Sequence, residues 1–199
     1  MGWSSSWIAI QGCEKDELLK YLNLEETGEK AFPGDGSVPF CVSELPGKWM
    51  VVFSEDFDWA SPSRVLEMSK LGLTLGCQFE DRVAMTSAVC AARAGVELWR
   101  VFHNSEQSIY RLDVTGNPPE ELAAIRDQLF QEQEHGGGED SDADYVHDVP
   151  LELAKAVCGY RHDDYEPPFT ALKRTGSIET AAATSKSGFL AKLMSVFVR

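Results

Sequence analysis

The sequence predicts an α+β fold: a mainly antiparallel sheet of about six strands, helices packed on one face, and an amphipathic C-terminal helix. Three observations carry that prediction. Between residues 73 and 115 four apolar stretches follow one another with connections of only a few polar residues. Antiparallel pairing can close such short connections, whereas a parallel crossover needs roughly a dozen residues. Helical periodicity is confined to segments on either side of this meander. The last segment, 189–199, repeats apolar side chains at helical spacing after a run of small polar residues.

Taken in order, residues 7–11 (WIAIQ) read as a strand turned by Gly12. A helix follows over 14–22, with Leu18, Leu19 and Leu22 on one side and acids in its first turn, where the helix dipole favours them. Residues 25–47, rich in Gly, Pro and Glu, read as an irregular excursion around a short strand at 38–42. The segment 48–54 (KWMVVFS) is again a strand. Ser61 stands as an N-cap before Pro62 at the first helical position, opening a helix to about residue 70 with Val65, Leu66 and Met68 on its apolar side. A Trp-bearing strand followed by a helix thus occurs twice, at 7–22 and 49–70, which hints at a weak internal repeat.

The meander strands are 73–80, 83–91, 96–103 and 108–115, with turns at 80–82, 93–95 and 104–107. After residues 116–119 (GNPP), Glu120 and Glu121 open a helix whose buried stripe is Leu122, Ile125, Leu129 and Phe130. Residues 135–144 (HGGGEDSDAD) read as a flexible acidic loop. Asp148 and Pro150 begin a further helix, 151–158, which Gly159 ends. The chain therefore divides into one acidic α+β domain over 1–166, a polar linker over 167–188 and the helix 189–199.

Charge is spread unevenly over these parts. Residues 1–166 carry 31 Asp and Glu against 13 Lys and Arg, while 167–199 carry five Lys and Arg against Glu179 alone. A net charge of −14 excludes phosphate-backbone binding by the body, which needs a basic footprint, so no nucleic-acid partner is predicted. It suits a protein that covers a basic surface on another protein. Five cysteines (Cys13, Cys41, Cys77, Cys90, Cys158) stand apart with no CxxC. An odd, scattered set of this kind reads as reduced thiols in a cytoplasmic protein. No apolar run reaches the roughly 20 residues that cross a bilayer, and the first residues lack the basic and apolar regions of a secretory signal.

No strong catalytic signature is present: no nucleophile elbow, no glycine-rich phosphate loop and no HExxH. Asp140, Asp142 and Asp144 have the one-three-five spacing of a calcium loop, but Tyr145 and Leu151 stand where that loop requires Gly and Glu, so no metal and no cofactor is predicted. Asp56 and Asp58 beside Trp59 lie between a strand and a helix, a common place for general acid–base or sugar-binding carboxylates and equally for helix caps. His103, Arg100 and Arg111 share a hairpin and could recognise an anion, or pair across strands with Glu97 and Asp113. In the tail, Phe189, Leu190, Leu193, Met194 and Phe197 share one helical face with Val196, while Lys192 lies off it. That face has three candidate partners: its own domain, another chain including a second copy, or an anionic membrane surface. One lysine is few for the last, because interfacial helices carry several.

Together these observations predict a non-enzymatic cytoplasmic protein that binds another protein, of inhibitor or immunity type, with its acidic surface set against a basic toxin or enzyme. The alternative is an enzyme or small-ligand binder on the sheet face, built from Asp56, Asp58, Arg100, His103 and Arg111. Homo-oligomerisation through the C-terminal helix is a third expectation.

Overall fold

The computed structural model describes residues 4–81, 85–163 and 167–176. Its centre is a nine-stranded antiparallel sheet in the order β2-β9-β3-β4-β1-β5-β6-β7-β8. The strands are β1 (Ser4–Gln11), β2 (Leu24–Ala31), β3 (Phe40–Leu45), β4 (Trp49–Ser54), β5 (Leu73–Glu80), β6 (Thr86–Arg93), β7 (Val96–Asn104), β8 (Leu112–Gly116) and β9 (Phe169–Arg174). Four helices accompany them: α1 (Lys15–Leu22), α2 (Pro62–Met68), α3 (Glu121–His135) and α4 (Asp148–Cys158).

The α+β class and the meander stand, but the sheet is larger than the six strands expected. The two strands that no expected strand segment covers, β2 and β9, had little apolar signal. In β2, six consecutive residues (Glu25–Lys30) are exposed, because it is an edge strand with a break in register between Glu26 and Lys30. In β9, which falls within the stretch expected to be a linker, Phe169, Ala171 and Leu172 are buried between β2 and β3. The tail helix expected over 189–199, with Phe189, Leu190, Leu193, Met194 and Phe197, lies outside the described residues.

A second correction concerns the layers. Helices cover both faces of the sheet, not one. On the first face Trp7, Ala9, Val51, Phe53, Leu75 and Val101 pack with Leu122, Leu129, Val149 and Leu153 of α3 and α4. On the second, Ile8, Ile10, Val42 and Val52 pack with Leu18 and Leu19 of α1 and with Val65 and Met68 of α2. This explains why β1 and β4 read WIAI and WMVVF without polar alternation: a strand buried on both faces carries apolar residues at every position.

Local chemistry sets the ends of these elements. Asn23 adopts a left-handed conformation (φ 55°) and closes α1 through its N–H to Leu19 O and Lys20 O. Gly159 (φ 80°) ends α4 in the same way. Ser61 does stand before α2 with Pro62 in its first turn, but its hydroxyl lies against Ser63 Oγ and makes no cap bond. Gly76 on β5 faces α2, where a Cβ would collide with Val65 Cγ2 and crowd Ala60 O, so the missing side chain lets the helix lie close to the sheet. Among the described residues no helix is long and apolar enough to cross a membrane.

Candidate functional site

The layer over the first face is where the charge collects. Between residues 120 and 152 the chain carries eleven Asp and Glu against one basic residue of the Lys/Arg type, Arg126. Seven of those acids (Glu120, Glu121, Asp127, Glu134, Glu139, Asp140 and Asp142) are exposed. A groove of about 360 Å³ runs between α3 and α4, lined by Ile125, Gln128, Leu129, Glu132, Asp148 and Glu152. Its floor is apolar and its rim acidic.

The loop joining α3 to α4 is held in one shape by its own side chains, where composition alone predicted a flexible segment. Gln133 is fully buried; its Nε2 donates to Gly138 O (2.9 Å) and Ala143 O (3.0 Å), and its Oε1 accepts from the Tyr145 N–H (2.8 Å). One glutamine amide therefore replaces three backbone partners that the loop lacks. Asp144 supplies the second tie. Its Oδ1 accepts from the His147 N–H (3.0 Å) beside the start of α4, and its Oδ2 meets His103 Nε2 (2.8 Å) on β7. Both oxygens are engaged within the protein, so Asp144 is a structural acid.

His103 points into this layer and not onto an open sheet face. It is 0 % exposed, with Nδ1 against the Arg111 carbonyl (2.8 Å) and Nε2 against Asp144. The Arg111 carbonyl can only accept, so Nδ1 donates to it while Nε2 is held by the Asp144 carboxyl. Beside it, Ser87 Oγ donates to the His147 carbonyl (2.6 Å), fixing the loop to β6. At the far side of α4 the chain turns back, and Arg161 reaches Asp148 (3.0 Å), Glu152 (2.5 Å) and Asp163 (2.8 Å). Burial alone would raise the Asp148 carboxyl, but the neighbouring His147 imidazole and the Arg161 charge outweigh it and hold it below the ordinary carboxylate value. His162 stacks on Phe79 (centroids 3.7 Å apart), and burial pushes its imidazole down to about 4.

The other residues singled out from sequence lie elsewhere. Asp56 and Asp58 are exposed at a short 3-10 turn, Phe57–Ala60, where Asp56 Oδ1 caps the Asp58 N–H (3.0 Å). Trp59 and Ala60 of that turn pack on the second face, and the Ala60 N–H donates to Ser6 Oγ (3.1 Å). Arg100 is paired with Glu97, next to Cys90 of the second face. Arg111 is exposed and its guanidinium bonds Asp113 (3.0 Å); toward His103 it offers only its backbone carbonyl. The structure thus places His103 on the opposite side of the sheet from the Asp56–Asp58 turn and from Arg100. Gln133 and Arg161, which organise the acidic layer, carried no signal in the sequence beyond being polar residues next to apolar ones.

Nucleophilic thiol chemistry has no support here. All five cysteines are unpaired and buried. Burial raises Cys13 and Cys90 to about 11 and Cys41 and Cys158 to about 12, so each is a neutral thiol at physiological pH. Among the described residues no group of three or more His, Cys, Asp or Glu is arranged to hold a metal ion. Compared with protein-family models, with curated proteins and with solved structures, the chain finds no match.

Proposed function

We propose that this is a non-enzymatic protein-binding protein, of inhibitor or immunity type, that covers a basic surface of its partner with the acidic layer formed by α3, α4 and the loop between them. The observation that carries the reading is the concentration of acids in that layer. Eleven carboxylates lie within one stretch, seven of them at the surface, and three of those seven (Glu139, Asp140 and Asp142) stand on a loop ordered from beneath by Gln133 and Asp144. A preordered acidic surface steers a basic partner into contact and loses little conformational entropy on binding. The Asp56 carboxylate is taken up by a cap and His103 by internal bonds, which supports a binding role over a catalytic one. A cytoplasmic location belongs to the same reading, supported by five unpaired buried thiols.

The test is affinity capture from native lysate with the full-length protein and a 1–175 truncation, each at low and high salt. A stoichiometric basic partner retained at low salt by both proteins and released at high salt is expected. Loss of the partner on truncation alone would assign binding to the tail, and self-association that disappears on truncation would assign oligomerisation to it. A partner held equally at both salt concentrations would overturn the acidic layer as the interface.

A further inference from the structure

The two edges of the sheet are built differently. The β2 edge is guarded: Glu25, Glu26, Glu29 and Lys30 are exposed along it, and its register breaks at Thr27–Glu29. Charges and bulges of this kind keep other strands from pairing with an edge. The β8 edge has neither. Its only charged residue, Asp113, is tied to Arg111, and among the described residues no strand pairs with its outer side.

Register identifies the groups that β8 presents. The Asn117 N–H donates to Leu98 O (3.1 Å), and the ladder continues with Thr115 opposite Arg100 and Asp113 opposite Phe102. Alternate residues of an antiparallel strand bond to the same neighbour. Residues 113, 115 and 117 therefore face β7, and the N–H and C=O of Leu112, Val114 and Gly116 point away from the sheet. On β8 itself Val114 is exposed (44 %), opposite Val101 and so on the first face of the sheet. Gly116 (φ 73°) is required there, since a Cβ would strike Leu98 O. The strand leads directly into Glu120 and Glu121, the first acids of the charged layer.

The geometry points to β8 as a docking edge that takes an extended, basic segment of the protein partner as a tenth strand. The backbone of Leu112, Val114 and Gly116 supplies the ladder, the exposed Val114 takes an apolar side chain of the added strand, and the acids that follow β8 take its Lys or Arg. A basic segment fits better than a second copy of this chain, because two copies would bring two bodies of net charge −14 together. The inference rests on the protein-binding reading above and names where that partner engages.

The test uses a fluorescent synthetic peptide of alternating Val and Lys, and the same peptide N-methylated at every backbone amide, which keeps charge and side chains but has no backbone N–H left for a ladder. Anisotropy should show the unmodified peptide binding at least about tenfold more tightly, the effect expected from losing a few net hydrogen bonds. Amide exchange at Leu112, Val114 and Gly116 should slow on binding. Val114→Pro removes an outward N–H without touching the β7 ladder and should abolish the difference between the peptides. Val114→Lys, which keeps the backbone donor but repels a basic strand, should weaken binding if the proline variant fails to fold. Equal binding of the two peptides by the wild type would overturn the edge. If the lysate partner is still captured in a salt-dependent way, the acidic-layer reading survives that result; if it is not, both fall. A wild type that sediments as a dimer, and a Val114→Pro variant that is monomeric, would assign the edge to a second copy and overturn the proposal as stated.

Discussion

His103 and Asp144 join β7, the third strand of the meander, to the start of helix α4 through a 2.8 Å contact, with side chains 0 % and 6 % exposed. Because Asp144 Oδ1 also holds the His147 N–H, this single carboxylate fixes the acidic loop to the sheet below and to the helix beside it. His103, which the sequence offered with Arg100 and Arg111 as an anion site, is thus an anchor of the layer above it.

Asp144→Ala should therefore act on stability. Removing one member of a buried hydrogen-bonded pair leaves the other unsatisfied and costs on the order of 3 kcal/mol. Urea denaturation should show that loss with an unchanged slope, and His103→Ala should cost a similar amount. The double variant should be far less destabilised than the sum, because each single change already breaks the same contact.

Arg161 ties Asp148 and Glu152 of α4 to Asp163 beyond its end. Arg161→Met keeps the aliphatic stem and removes the charge. It should lower stability by about 1–3 kcal/mol and loosen the segment that follows Gly159, read as faster amide exchange near Tyr160. An unchanged melting temperature would mean the three contacts are solvent-screened surface pairs.

His162 sets the acid limb of the stability profile. Its folded value of about 4 lies below the ordinary 6.5, so the folded protein favours the neutral ring. Above 6.5 neither state takes the proton. As pH falls from 6.5 to 4 the unfolded chain is protonated and the folded one is not, so stability declines across that window by about 3 kcal/mol in all and no further below it. His162→Phe should flatten the profile between those values. Asp148 acts lower: its depressed folded value gives stability present above its ordinary 3.8 and lost as pH falls below it. Melting temperatures measured across the range should resolve the two steps.

Gly76→Ala should be costly although alanine is tolerated in most strands. Its Cβ would meet Val65 and the Ala60 carbonyl, so α2 must move off the sheet. A loss of about 2 kcal/mol or more is expected, with a smaller loss in the pair Gly76→Ala with Val65→Ala, where the space is returned.

Much of the architecture was legible because local chemistry and tertiary structure agree in the meander: alternating apolar residues, short turns and helix caps all give the same answer. The second helical layer was missed, since helices were expected on one face only, although the unbroken WIAI and WMVVF runs need cover on both faces. Strands β2 and β9 were not legible. Glu25–Lys30 is held by pairing with β9 and not by burial of its own side chains, and Phe169–Arg174 is short and bounded by Pro167–Pro168 and Thr175–Gly176. The candidate site fared in the same way. Acid density and helix position could be read directly, but the roles of Gln133, Asp144 and Arg161 depend on partners distant in space, which spacing along the chain does not reveal.

The most direct measurement of the central claim is the salt dependence of partner affinity for the wild type and for the triple variant Glu139→Lys, Asp140→Lys, Asp142→Lys, whose three positions are exposed. An acidic layer that forms the interface predicts wild-type affinity that falls steeply with salt, and a variant that binds at least about a hundredfold more weakly at low salt while melting within a few degrees of the wild type. A variant that binds as tightly as the wild type, with the same salt dependence, would contradict it.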